Sequence, residues 1–166
     1  MKPKVYHPLS DMGRMKEELL SLFTNTESIS NLIEGFYDTP YTQASMSDKK
    51  CAVFVETYLI KSEGNRMKEV VLDIAVVCQR EASELTDEEN TYYHSIGIYG
   101  NRVDSALQAI YSVISDSTAT DALKQSLCIG NIALLPENPI DKCDIEGDFC
   151  GKQLHYTYRS FYQFKK

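Results

Sequence analysis

The chain has 166 residues, of which 43% are hydrophobic and 25% are charged. This length and apolar content predict one globular domain, residues 1–166, and exclude an intrinsically disordered chain. The 17 Lys and Arg against 24 Asp and Glu give a formal net charge of −7. Because a nucleic-acid surface needs clustered cations, the charge argues against a dedicated one. The sequence contains neither an apolar run of membrane-spanning length nor the apolar core of a signal peptide at its N-terminus.

The N-terminal part of the chain predicts helices. Leu9 to Phe23 has helical spacing, with Ser10 or Asp11 as its cap. The apolar side of this helix comprises Met12, Met15, Leu19, Leu22 and Phe23. A shorter stretch has the same spacing at Ile29, Leu32, Ile33 and Phe36. The turn-rich residues 37–50 predict a loop, with a short strand around Tyr41 as the alternative.

A β-hairpin follows this loop. Ala52 to Ile60 is rich in β-branched and aromatic residues, and Val70 to Cys78 alternates with a period of two. The residues between them include a Gly64-Asn65 pair, which suits a hairpin turn. We therefore expect two antiparallel strands.

The centre of the chain predicts a strand that leads into a helix. Residues 79–91 are acidic and polar and indicate a solvated connection, with room for one helical turn around Thr86 to Asn90. Tyr92 to Tyr99 is interpreted as a strand, and Gly100-Asn101 as a corner. Arg102 to Ile114 is predicted as an amphipathic helix with Asn101 as its N-cap. The apolar stripe of this helix is Val103, Ala106, Leu107, Ile110 and Ile114.

Two further strands complete the predicted sheet. Leu127 to Leu135 is interpreted as a strand that ends at Pro136, because proline cannot donate to a ladder. Residues 140–152 are predicted to form an acidic loop, followed by a strand from Gln153 to Phe164. The predicted order is α-β-β-β-α-β-β. It indicates an α+β fold, a mostly antiparallel sheet with an N-terminal helix and a central amphipathic helix packed on it.

The five cysteines predict neither a disulfide framework nor a metal site. Cys51, Cys78 and Cys128 lie in apolar runs, where a reduced thiol behaves as a small hydrophobe, so we expect a reduced protein. Cys143, Cys150 and His155 match no zinc-site spacing. The acidic loop does not match a calcium-binding loop either, because Lys142 and Gln153 would occupy two ligand positions. A weaker divalent site from Asp141, Asp144, Glu146 and Asp148 is less favoured than a solvated loop.

The sequence predicts no catalytic or cofactor site. His94 is interpreted as a hydrogen-bonded structural residue rather than a base, since no nucleophile motif accompanies it. A phosphate at the helix start near Arg102 is less favoured than a simple corner. The tyrosine-rich final strand has three interpretations: core, an edge that pairs with another chain, or a stacking platform for nucleic acid. The negative charge disfavours the third.

The order of these elements, over nearly the whole chain, resembles the tail terminators and closely related head–tail joining (neck) proteins of tailed bacteriophages. The resemblance is carried by the helix Leu9 to Phe23, the hairpin Ala52 to Cys78 and the unit Tyr92 to Ile114. It is also carried by the strand that runs into Asn138-Pro139-Ile140 and by the Gly151-x-Gln153-Leu154-x-Tyr156 start of the final strand.

The resemblance implies a non-enzymatic virion protein that is made in the host cytoplasm and forms a ring, typically a hexamer. Such a ring caps the tail tube and joins it to the head connector, and genome DNA passes through its lumen without specific binding. The expected partners are a second copy of the chain, the tail tube protein and the connector proteins, with no cofactor and no membrane. The expected interface residues are Tyr41, Glu63, Asn65, Arg66, Asp144, Glu146, Asp148, Tyr158, Tyr162 and Phe164.

Two other functions are alternatives. One is a ferredoxin-like regulatory module that binds a small molecule or protein in a pocket between helices and sheet. The other is an enzyme that uses His94 beside a carboxylate as an acid–base pair. The second would need His94 to lie in a cleft.

Overall fold

The computed structural model describes residues 10–63, 67–116, 131–142 and 147–161, and these form an α+β fold. Four helices and five strands occur in chain order. They are α1 (Ser10–Thr24), α2 (Glu27–Ser30), β1 (Gly35–Tyr37), β2 (Cys51–Glu63), β3 (Met67–Gln79), α3 (Asp87–Ser95), α4 (Arg102–Ser115), β4 (Asn131–Lys142) and β5 (Phe149–Phe161). None of the helices in these ranges is long and apolar enough to cross a membrane.

The strands form one sheet in the order β1-β2-β3-β5-β4. β1 runs parallel to β2 over three residues, and the other neighbours are antiparallel. The predicted hairpin is confirmed, since β2 and β3 pair from Cys51 and Cys78 outwards to Glu63 and Met67. β3 therefore lies in the centre of the sheet, between its hairpin partner and the last strand.

The helices cover one face of the sheet, and the main core lies between them. The alternation in β3 is confirmed, because Val70, Leu72, Ile74, Val76 and Cys78 are all fully buried on this face. α1 contributes the buried side chains of Met15, Leu19 and Phe23. α4 contributes the predicted stripe of Val103, Ala106, Leu107, Ile110 and Ile114. A smaller cluster on the opposite face contains Met46, Ala52, Phe54, Val77 and Phe149.

The predicted strand from Tyr92 to Tyr99 is wrong, because its first half, up to Ser95, belongs to α3 and the rest is a turn. Thr86 and Glu89 form a capping box at the start of this helix. At its end Gly97 has a positive φ of 79°, and the Ile98 amide donates to the Tyr93 carbonyl at 2.8 Å. This is the pairing of a Schellman motif, with Ile98 and Tyr93 both buried. Local capping therefore decides the structure of a segment whose aromatic composition favours a strand.

The predicted end of the fourth strand at Pro136 and the predicted start of the last strand at Gln153 are also wrong. β4 continues through Pro136 and Pro139 to Lys142, and β5 begins at Phe149. β4 is an edge strand whose pairing with β5 shifts register at three places. Edge strands with such irregularities tolerate proline, so Pro136 does not end the strand. The alternative prediction of a short strand around Tyr41 is wrong as well. The short strand of this region is β1, which ends at Tyr37.

Candidate assembly interface

One edge of the sheet is open along half of β2. In the described ranges β1 is the only neighbour of β2 on this side, and its pairing ends at Phe54. Three consecutive apolar residues then follow on the unpaired edge, with Tyr58 44%, Leu59 44% and Ile60 55% exposed. We call Tyr58, Leu59 and Ile60 the β2 edge patch.

The exposure of the β2 edge patch comes from its position at the edge. Leu59 lies opposite Val70 on β3, and Tyr58 lies opposite Val71. Val70 is fully buried and Val71 only 9% exposed. The sheet interior is therefore covered at this level, and the apolar surface left open belongs to β2 alone. Natural edge strands usually carry charges or bulges at such positions, so a large apolar edge marks a binding surface.

A row of polar side chains crosses the sheet beside the patch, on the face away from the helices. Glu56 lies opposite Asp73, and Asp73 lies opposite His155. The Asp73 carboxylate is 2.5 Å from Nδ1 of His155, and the Tyr58 hydroxyl donates to Glu56 at 2.7 Å. Burial, then this hydrogen bond and the charge of Asp73, raise the pKa of Tyr58. The tyrosine is therefore held in place as a neutral donor.

A second group of exposed apolar side chains lies on α3 and the turn after it. Tyr92 is 37%, Ile96 48% and Tyr99 61% exposed. The Tyr99 ring packs against the exposed His94 ring, with centroids 4.8 Å apart. We call Tyr92, Ile96 and Tyr99 the α3 patch. His94 is exposed at the end of a helix, which is not the strand position that we expected for it.

The α3 patch and the β2 edge patch lie towards opposite ends of the strands. Lys152 of β5 bonds Asp104 of α4 at 2.6 Å, and this places the start of α4 near the end of the sheet that contains Cys51. Leu59 lies eight residues further along β2, roughly 26 Å away at strand spacing. The subunit therefore presents two distinct apolar surfaces.

The corner between α3 and α4 contains an ion pair between Glu89 and Arg102. Arg102 is the residue near which a bound phosphate was the less favoured interpretation. The Arg102 guanidinium donates to both carboxylate oxygens of Glu89 at 2.8 Å, and its Nε donates to the Ala82 carbonyl. Burial alone would raise the pKa of Glu89, but hydrogen bonds from Arg102 and Thr86 and the Arg102 charge lower it overall. The guanidinium thus ties the two helices together.

The residues predicted for the interface are spread over the subunit. Tyr158 is 1% exposed and lies in the core, so it is not a surface contact of the subunit. Tyr41 is half-buried against Phe54 and Phe149 in the smaller cluster. Asp148 is exposed, and its carbonyl accepts from the Arg80 amide. Glu63 is the last residue of β2. The other predicted interface residues lie outside the described residues: Asn65, Arg66, Asp144, Glu146, Tyr162 and Phe164.

The expectation of reduced cysteines is wrong for one pair. Cys51 and Cys78 form a disulfide across β2 and β3, with Cα atoms 4.1 Å apart. They are directly opposed at a non-hydrogen-bonded position of the antiparallel pair, where the side chains of the two strands come closest. The alternation of apolar residues in each strand does not show which residues of the two strands are opposed. Cys150 is a free thiol, and Cys128 and Cys143 lie outside the described residues. In the described part of the chain no three Asp, Glu, His or Cys residues are placed to hold a metal ion.

The β2 edge patch was not among the predicted interface residues, although the sequence contains a signal for it. Tyr58-Leu59-Ile60 places three apolar residues in succession, which breaks the alternation of a half-buried strand. Comparison of the chain with protein-family models and with curated protein sequences gave no match.

Proposed function

We propose that this chain is a structural subunit that assembles with copies of itself into a ring, in the role of a tail terminator or neck protein of a tailed bacteriophage. The observation that carries the proposal is the open β2 edge, with three exposed apolar residues on a rigid, paired strand. The N-terminal helix α1 and the β2–β3 hairpin, which are two of the elements that carry the resemblance, support the phage role. The negative net charge supports it as well, because a lumen with few cations lets DNA slide.

The two patches fit a ring better than a closed two-fold dimer. A ring requires that one surface of a subunit meets a different surface on the next copy. The β2 edge patch and the α3 patch are different in structure and lie towards opposite ends of the strands. We expect each patch to be covered in the assembled ring.

Native mass spectrometry and negative-stain microscopy of the purified full chain test this proposal. Six copies of the 18.8 kDa chain would give a species of about 113 kDa and ring-shaped particles. Leu59→Lys should abolish this species and leave a folded monomer, because it places an unpaired charge in the apolar contact between neighbouring copies.

Tyr111→Lys is the matched control. Tyr111 is similarly exposed, at 41%, but lies on α4 outside both patches. We expect this variant to assemble like the natural chain. A natural chain that stays monomeric at high concentration, or Leu59→Lys rings of normal size, would contradict the proposal.

Assembly onto a tail is the second part of the test. Rings should cap the ends of purified phage tail tubes when the two are mixed, and Leu59→Lys protein should leave the tube ends bare. If rings form but bind no tube end, the self-assembly part of the proposal stands and the phage role is contradicted.

A further inference from the structure

Three cysteines form a row across the sheet. Cys51 on β2 lies opposite Cys78 on β3, and Cys78 lies opposite Cys150 on β5. Directly opposed residues of neighbouring strands point to the same face, so all three side chains share the helix-covered face. Cys51 and Cys78 are fully buried in the main core, and Cys150 packs against that core while partly exposed.

The central position of Cys78 gives it a cysteine neighbour on each side, in two different kinds of strand pair. Cys78 is already bonded to Cys51. Cys78 and Cys150 occupy a hydrogen-bonded position of the antiparallel pair. Such positions recur every second residue, and two residues further along the Arg80 amide donates to the Asp148 carbonyl. Cα atoms at such positions are about 5.5 Å apart, inside the usual range for a disulfide.

We propose that Cys51, Cys78 and Cys150 form an intramolecular thiol–disulfide exchange site, through which the crosslink moves between β2–β3 and β3–β5. The Cys150 thiolate attacks Sγ of Cys78 from the side opposite Cys51, along the row. The Cys78–Cys150 bond forms as the Cys51–Cys78 bond breaks. Cys51 leaves as a thiolate and takes up the proton that Cys150 released. No external oxidant or reductant is consumed.

The surroundings of Cys150 determine how fast the exchange starts. Burial raises the pKa of its thiol, and Asp104 acts in the same direction, whereas Arg80 and Lys152 oppose it. Only the thiolate attacks a disulfide, so exchange is slow at neutral pH and accelerates as the pH rises. Moving the crosslink would remove the covalent link from β2, which also carries the open edge, and add one between β3 and β5.

The test maps the crosslink in full-length protein with Cys128→Ser and Cys143→Ser, so that only the three cysteines of the row remain. The protein is first brought to one crosslink with oxidised glutathione and freed of reagent. It is then held at pH 9, quenched in acid denaturant, labelled with N-ethylmaleimide and mapped by peptide mass spectrometry. We expect label on both Cys150 and Cys51, with a ratio that is independent of protein concentration. Label on Cys150 alone after long incubation would overturn the proposal.

Two variants separate the site from general thiol reactivity. Cys51→Ser treated with oxidised glutathione should form the Cys78–Cys150 crosslink, whereas glutathione that stays on Cys150 would overturn the proposal. Cys78→Ser should form no internal crosslink, because Cys51 and Cys150 are two strands, roughly 10 Å, apart. A Cys51–Cys150 crosslink in this variant would show that the row does not set the chemistry. Circular dichroism on each variant checks that the sheet is retained.

Discussion

The first ten residues of β2 form two halves that both contain large apolar side chains but have different surroundings. Cys51 to Val55 lies beside β1 and under the helices, and all five of its residues are buried. Glu56 to Ile60 continues the same strand and still pairs with β3, but it ends in the β2 edge patch. Apolar residues therefore continue past the point where the subunit can cover them. The second half of the strand is therefore suited to contact with another molecule.

The largest effect should come from a charge placed in the covered half. Val53 and Leu59 share the helix side of β2, but Val53 is fully buried and Leu59 is 44% exposed. Val53→Asp should remove at least about 4 kcal/mol from the free energy of unfolding, because it buries an unpaired carboxylate. Leu59→Asp should change it by no more than about 0.5 kcal/mol. Urea titrations followed by circular dichroism measure both. Equal losses in the two variants would show that the halves do not differ as described.

The disulfide should account for the next largest effect, and it lies entirely in the covered half. Cys51 and Cys78 are separated by 27 residues in the chain. A crosslink over this distance stabilises the folded state by about 3–4 kcal/mol in the chain-entropy model. A reductant should lower the urea midpoint of the natural protein accordingly. The double variant Cys51→Ala, Cys78→Ala should start at a lower midpoint and not respond to reductant. A large change in the urea midpoint of that variant on adding reductant would show that the Cys51–Cys78 disulfide does not cause the stabilisation.

The Glu89–Arg102 pair should have a smaller, pH-dependent effect on the helices that cover this half. The pKa of Glu89 is lowered in the folded state. Its stabilisation is therefore complete above the unfolded pKa of about 4.3 and is lost as the pH falls through the lower folded value. Glu89→Gln should cost about 1–3 kcal/mol at pH 7 and progressively less in acid. Glu88→Gln, at an exposed position in the same helical turn, is the control. Urea midpoints at pH 7 and at a series of lower pH values measure the difference, and a cost that does not shrink as the pH falls would contradict this account.

The sequence predicts the parts of the fold that depend on one element at a time. The stripes of α1 and α4 and the alternation of β3 are confirmed because each repeats a simple period. The Asn101 cap is confirmed because its side chain accepts a local hydrogen bond from the Asp104 amide. Tyr92 to Tyr99 is wrong because two local signals, the Thr86–Glu89 capping box and Gly97, outweigh an aromatic composition. The predicted end of β4 at Pro136 is wrong because proline is tolerated in an edge strand, and the sequence does not show which strand lies at the edge.

The candidate site was harder to predict because it depends on what is missing beside a strand. Exposure of Leu59 follows from the short length of β1, and burial of Tyr158 follows from the central place of its strand pair. The apolar run Tyr58-Leu59-Ile60 is present in the sequence, but the length of β1 and the order of the strands cannot be read from the residues around it. Likewise, the disulfide depends on a cross-strand register that places Cys51 against Cys78.

The two open edges of the sheet, along β4 and along the part of β2 beyond β1, also differ in what they would permit in a concentrated solution. β4 contains Pro136 and Pro139, which have no amide hydrogen, and its pairing is interrupted at three places. A foreign strand would find a poor template there, whereas the β2 edge has no prolines. Strand addition is therefore favoured at the β2 edge and disfavoured at β4. This difference disfavours extension of the sheet copy after copy into a fibril, and so it lowers the aggregation risk of the exposed apolar edge.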